Sequence, residues 1–185
     1  DLGSTTLIEL LTPEAPQAAL GWYLQATDVL LDWQKASKPG VLPAYDEALL
    51  RRELALFPDW YLVKHRGVTL DGAQQQTLDK AFDLIVTRCL AAPSVYVHRD
   101  FMPRNLMVCP PADHGAQADT RLGVLDFQDA VSGPITYDIA SLMRDAFLSW
   151  DEEFVLEVTI RYWERARAAG LAVGSDFGAF YRAVE

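Results

Sequence analysis

His98-Arg99-Asp100-Phe101-Met102-Pro103-Arg104-Asn105 is the stretch on which the reading of this chain turns. It lies between two short apolar runs, Ser94-Val95-Tyr96-Val97 and Leu106-Met107-Val108, whose composition predicts strands. A third run, Leu122-Gly123-Val124-Leu125, delivers Asp126-Phe127-Gln128 at its end. Phosphoryl transfer asks two things of this half of an enzyme: a carboxylate that orients an acceptor hydroxyl and takes its proton, and oxygen ligands for the Mg²⁺ that bridges the phosphates of ATP. Asp100 suits the first task. Asn105 and Asp126 suit the second, because Mg²⁺ prefers hard oxygen donors and keeps several waters. Asp100 and Asn105 must point into one cleft from a single tight loop. The residues between them are expected to reverse the chain between the flanking strands, with Pro103 stiffening the reversal. Each residue alone has a plainer account, since His-Arg-Asp recurs by accident and an acid at a strand end is commonly a cap. The joint spacing carries the assignment.

Neighbouring residues keep two readings. His98 reads as a brace of the loop rather than a base, because Asp100 already fills that role. Arg99 reads the same way. Asp138 is either a helix-start carboxylate, favourable against the helix dipole, or a brace behind the loop, and the brace is preferred. Asp129 reads as a turn residue before it reads as a metal ligand. Only eleven residues separate Asp126 from Asp138, and a helix is expected from Ile135. That leaves no room for a long regulatory segment that also docks a peptide, so a small acceptor is favoured over a protein.

Working outward, the periodicity predicts helices over Pro16–Lys35, Asp46–Phe57 and Asp71–Leu90. In the third, Leu78, Phe82, Ile85, Val86 and Cys89 form one apolar stripe that is expected to be buried. Further helices are expected over Ile135–Leu148, Glu152–Ala169 and from Asp176 onward. The segment from Pro110 to Arg121 is rich in Pro, Asp and Gly and reads as a surface turn. The fold class is therefore α+β, a mostly helical lobe with a small set of short strands carrying the catalytic loop.

The 185 residues are half hydrophobic, enough for one sizeable core. A formal charge of −10 disfavours nucleic acid and anionic membranes as partners. No apolar run reaches the roughly 18 residues of a membrane span, and Cys89 and Cys109 fit reduced thiols in a cytoplasmic protein.

With these residues in hand, the chain resembles the aminoglycoside phosphotransferase/choline kinase family, whose members share the protein-kinase-like fold. Within it, the chain is similar to the bacterial sugar kinases that phosphorylate the anomeric hydroxyl of N-acetylmuramate and N-acetylglucosamine in peptidoglycan recycling. The His98–Met107 loop, Val124-Leu125-Asp126-Phe127-Gln128-Asp129-Ala130 and Gly133 to Leu142 carry the wider resemblance, with Arg144-Asp145 behind. Leu49-Leu50-Arg51-Arg52-Glu53-Leu54 also carries the resemblance, and Leu42-Pro43-Ala44-Tyr45-Asp46 and Phe57-Pro58-Asp59-Trp60 point to the sugar-kinase subgroup. Gln128 departs from the glycine of the protein-kinase Asp-Phe-Gly.

The resemblance implies Asp100 as base and Asn105 and Asp126 as Mg²⁺ ligands. It also implies that Asp1, Leu2 and Gly3 end a hinge whose backbone meets the adenine of ATP. On that footing residues 1–185 are the C-terminal catalytic lobe. No Gly-rich phosphate loop, strand lysine or paired helix glutamate accompanies it, so the segment alone is expected to show little or no kinase activity and to self-associate through apolar surface. Trp33, Tyr45 and Trp60, with Tyr61 beside them, are candidate platforms for a sugar ring, against the plainer reading that such aromatics are core. Arg51 or Arg52 is a candidate partner for a lactyl carboxylate, against the reading of a solvated helix face. The rival to an amino-sugar kinase is an aminoglycoside or choline-type kinase, or a non-catalytic pseudokinase-like binding module.

Overall fold

The computed structural model describes residues 3–109 and 121–185. Its helices start where side chains can accept the unpaired N–H groups of a first turn. Helix α1 (Pro16–Lys35) opens on Pro16, and α2 (Glu47–Leu56) is capped by the Asp46 carboxylate on the Leu49 N–H. Asp71 forms a reciprocal capping box with Gln74 at α3 (Gly72–Ala91). After α4 (Tyr137–Met143), α5 (Glu152–Ala168) and α6 (Phe177–Val184) are capped by Asp151 and Asp176.

Helices α1 and α5 form the centre. Helix α1 buries Ala19, Tyr23, Ala26, Thr27, Leu30, Leu31 and Gln34 along one helical stripe, and α5 answers with Phe154, Val155, Val158, Tyr162 and Ala166. Gln34 is the polar member of this seam and is satisfied on both sides. Its amide nitrogen donates to the Ile135 carbonyl at 3.2 Å, and its amide oxygen accepts from the Tyr162 hydroxyl at 2.6 Å.

Four short strands form two separate antiparallel pairs. Strand β1 (Ser94–Val97) pairs with β4 (Val131–Pro134), and β2 (Leu106–Cys109) pairs with β3 (Arg121–Val124). The loop from His98 to Asn105 therefore does not close a hairpin between its flanking strands, as its spacing suggested. It connects two ribbons, and each ribbon brings a second strand whose end lies near the loop.

Several sequence expectations are corrected. The chain from Val131 to Pro134 is a strand, and the helix expected from Ile135 to Leu148 occupies only Tyr137–Met143. Helix α2 does not stop at Phe57 but continues as a π-helix, Phe57–His65. Of the α3 stripe, only Val86 is fully buried; Leu78, Phe82 and Cys89 are half-buried, and Ile85 is 43% exposed. The turn from Pro110 lies outside the described residues up to position 120, and Arg121 opens β3.

The segment before α2 adds an edge to β4. Tyr45 N–H donates to the Ser132 carbonyl at 2.8 Å, and Ser132 N–H donates to the Pro43 carbonyl at 2.7 Å. This close approach needs a residue without a side chain opposite Tyr45. A Cβ on Gly133 would stand 2.8 Å from the Tyr45 Cβ, inside any ordinary carbon–carbon contact. Gly133→Ala is expected to destabilise the fold by roughly 1–3 kcal/mol, as overpacked sites do, read as a shift in the denaturant midpoint at unchanged slope.

Candidate active site

The loop is fixed first by backbone bonds. Asp138, fully buried at the start of α4, accepts the His98 N–H on Oδ2 at 2.7 Å and the Arg99 N–H on Oδ1 at 3.1 Å. Burial pushes its carboxyl up to about 7, against the pull of those two N–H donors. Two successive N–H groups can face one carboxylate because the chain kinks at Arg99, whose φ is 79°. The left-handed region is costly for a residue with a Cβ, and such conformations gather at functional sites. Asp126, at φ 64°, is the second non-glycine residue of this kind among the described residues.

His98 is fully buried and joins the loop to the strand end. Its Nε2 lies 2.8 Å from the Leu125 carbonyl, and its Nδ1 lies 3.3 Å from the Asp100 N–H. Both contacts are made at once only by a neutral ring protonated on Nε2, which donates to Leu125 and accepts from Asp100. Burial lowers its pKa and favours that neutral form, although the Leu125 carbonyl and the charges of Asp100 and Asp126 pull the other way. Leu125 N–H donates in turn to the Asn105 carbonyl at 2.9 Å. The peptides on either side of Leu125 are thus held from both ends of the loop, and the residue they deliver is Asp126.

Side-chain bonds aim the remaining groups. Asn105 Nδ2 donates to the Asp100 carbonyl at 2.9 Å, which fixes the amide and leaves Oδ1 as its outward atom. Gln128 Nε2 donates to Asp126 Oδ1 at 2.8 Å, leaving Oδ2 for another ligand. Among the described residues no three His, Cys, Asp or Glu side chains stand together as a self-sufficient metal cage. One carboxylate and one amide oxygen beside open solvent suit Mg²⁺, which takes few protein ligands and keeps its water. The residues present fit that ion.

The other candidates are distributed unevenly. Trp33 lies against the loop, with its ring 5.8 Å from His98 and 6.3 Å from Phe127. Tyr45 is 4% exposed and belongs to the core, so it offers no face to a sugar. Trp60 is 58% exposed on the π-helix, with the Lys64 ammonium 3.6 Å above its ring. Arg51 is already paired with Glu47 and Asp83. Asp1 and Leu2 lie outside the described residues; Gly3 takes φ 86°.

Sequence reasoning assigned no role to Glu53, an α2 acid that pairs with Arg99 and accepts from the Tyr45 hydroxyl. A cavity of about 520 Å³ between α3, α4 and α6, lined by residues such as Leu84, Cys89 and Ala140, includes none of Asp100, Asn105 or Asp126. Cavity size does not mark the chemistry here.

Residues 3–171 match the phosphotransferase enzyme family known as APH. The chain belongs to that family. It is 48% identical over 183 residues to an N-acetylmuramate/N-acetylglucosamine kinase of Neisseria meningitidis serogroup B, with 98% of this chain and 52% of that protein covered. A protein of the same name from Pseudomonas aeruginosa is 46% identical, with 99% and 51% covered. The chain thus spans about half the length of the curated relatives it matches. Among solved structures, an aminoglycoside-3'-phosphotransferase of type VIII superposes with a TM-score of 0.55 at 15% identity, covering 91% of this chain and 60% of that one. This shared fold is the kinase-like one expected from the sequence.

Proposed function

We propose that the full-length protein is an ATP-dependent kinase that phosphorylates the anomeric hydroxyl of an N-acetylated amino sugar of the N-acetylmuramate/N-acetylglucosamine type. One observation carries the chemistry: the bonds from His98, Asn105 and Leu125 hold Asp100, Asn105 and Asp126 around one junction. The acceptor class rests on similarity to relatives that carry that name.

In this reading Asp100 accepts the proton of the acceptor hydroxyl as its oxygen bonds to the γ-phosphorus. The bond from that phosphorus to the β–γ bridging oxygen breaks, and ADP leaves with the electron pair. Asn105 Oδ1 and Asp126 Oδ2 would hold Mg²⁺, which supplies charge neutralisation to the phosphates. His98, itself neutral, fixes the loop through its two ring nitrogens, and Asp138 anchors it from behind. Trp33, beside the loop, and the exposed Trp60 are the aromatics assigned here to face a sugar. The hinge at Asp1, Leu2 and Gly3 would meet adenine.

A coupled ADP-release assay of the full-length protein across amino sugars, choline and aminoglycosides tests the assignment. Turnover of N-acetylmuramate or N-acetylglucosamine is the expected result. Turnover of choline or an aminoglycoside alone would transfer the protein to a sister activity, and no Mg²⁺-dependent stabilisation by ATP would favour a non-catalytic binding module.

A further inference from the structure

We propose that Glu53 is a positioning residue for phosphoryl transfer, acting through Arg99 to hold the Asp100 loop in register with the Asp126 strand end; this rests on the kinase reading above. Glu53 sits on α2, far from the loop in sequence, yet both of its carboxylate oxygens are engaged there. Oε1 takes Arg99 Nη2, and Oε2 takes the Tyr45 hydroxyl, which lies 3.4 Å from the Tyr137 hydroxyl at the start of α4. The guanidinium continues the path, since Arg99 Nη1 donates to the Asp129 carbonyl at 3.3 Å, three residues past Asp126.

This is not a surface ion pair. The Arg99 and Glu53 side chains retain only 25% and 23% of their exposure, and Arg99 also lies 5.9 Å over the Tyr45 ring. Its Nε is buried without a hydrogen-bond partner among the described residues, so the charge depends on the two terminal nitrogens for compensation. Burial disfavours that charge, and the Glu53 carboxylate and two nearby tyrosines together outweigh it. Removing one member of such a pair strands the other.

The consequence falls on the reacting groups because Arg99 is the residue before Asp100 and is held in a left-handed conformation, as is Asp126. Such conformations persist only where surrounding contacts enforce them. Glu53 restrains the first through Arg99 directly and the second through the Asp129 carbonyl. Helix α2 also runs without a break into the π-helix, whose Phe57, Trp60 and Tyr61 are exposed. One helical rod therefore joins an aromatic face to the catalytic loop, with Glu53 at the joint.

The test is Glu53→Gln in the full-length protein, alone and combined with Arg99→Gln, with kcat measured on whichever acceptor the parent turns over best. Glu53→Gln is expected to lower kcat roughly tenfold while KM for ATP stays within about twofold, and the double variant is expected to be no slower than Arg99→Gln alone, as residues acting through one contact behave. Amide hydrogen exchange over residues 98–105 and 126–129 is expected to quicken in Glu53→Gln with the remainder unchanged, a readout that needs no acceptor. Unchanged kcat and exchange, or losses that multiply in the double variant, would overturn the proposal. A parent inactive on amino sugars but active on another acceptor would count against the substrate assignment and leave the Glu53 ratio readable.

Discussion

Asp100→Asn in the full-length protein is expected to lower kcat by roughly 10²–10⁴-fold, the range over which a positioned general base contributes. The substitution is well suited to the question because the backbone of residue 100 is already tied down. Its N–H points at His98 Nδ1 and its carbonyl accepts from Asn105 Nδ2, and neither bond involves the side chain being changed. An asparagine of the same shape therefore leaves the loop where it is and removes only the capacity to take a proton. The side chain is exposed, so no buried charge is stranded and the thermal midpoint is expected to stay within a degree or two of the parent, as surface substitutions generally do. KM for ATP is expected to change little, because the proposed Mg²⁺ ligands are other residues. Steady-state assays at saturating acceptor, with the denaturation midpoint as control, check this. A variant that keeps more than about a tenth of the parent's kcat would show that Asp100 is not the base, given the size of that contribution.

The sequence disclosed the loop and its strands because their signals are local. Three apolar runs of three or four residues bracket His98–Asn105 and end at Asp126, and all three fold as strands within one residue of their expected bounds. Strand β4 was hidden because Val131-Ser132-Gly133-Pro134 has the composition of a turn. It is extended because β1 pairs on one side and the Pro43–Tyr45 segment bonds on the other. The π-helix was hidden for a related reason. Pro58 lacks an N–H and ordinarily marks a helix end, but here it falls in the first turn of a wider helical register, where that donor has no partner to lose. The role of Glu53 was hidden, since its partner is 46 residues away and an acid on a polar helix reads as solvated. The stripe on α3 shows the converse limit: periodicity tells which side of a helix is apolar, and only the packing tells what covers it.

Asp138→Ala is expected to cost roughly 2–6 kcal/mol of stability, because it removes the acceptor of two buried or partly buried backbone donors, each worth about 1–3 kcal/mol when left unmade. No other partner is in place: among the described residues, Asp138 is the acceptor for both His98 N–H and Arg99 N–H. Water is a poor substitute at a site where Asp138, His98 and Ile139 are all fully buried. Asp138→Asn separates the carboxylate's charge from its geometry. The asparagine keeps one carbonyl oxygen for one donor but turns an NH₂ toward the other, so its cost is expected to fall between parent and alanine. Both variants are also expected to lose kcat beyond what their folded fraction explains, since the two bonds fix the kink that presents Asp100. Urea unfolding followed by circular dichroism, with activity corrected for the folded population, measures the two effects together. Alanine at 138 with parental stability would mean that the His98 and Arg99 amides find other acceptors, and the carboxylate would then be a helix-start charge and no more.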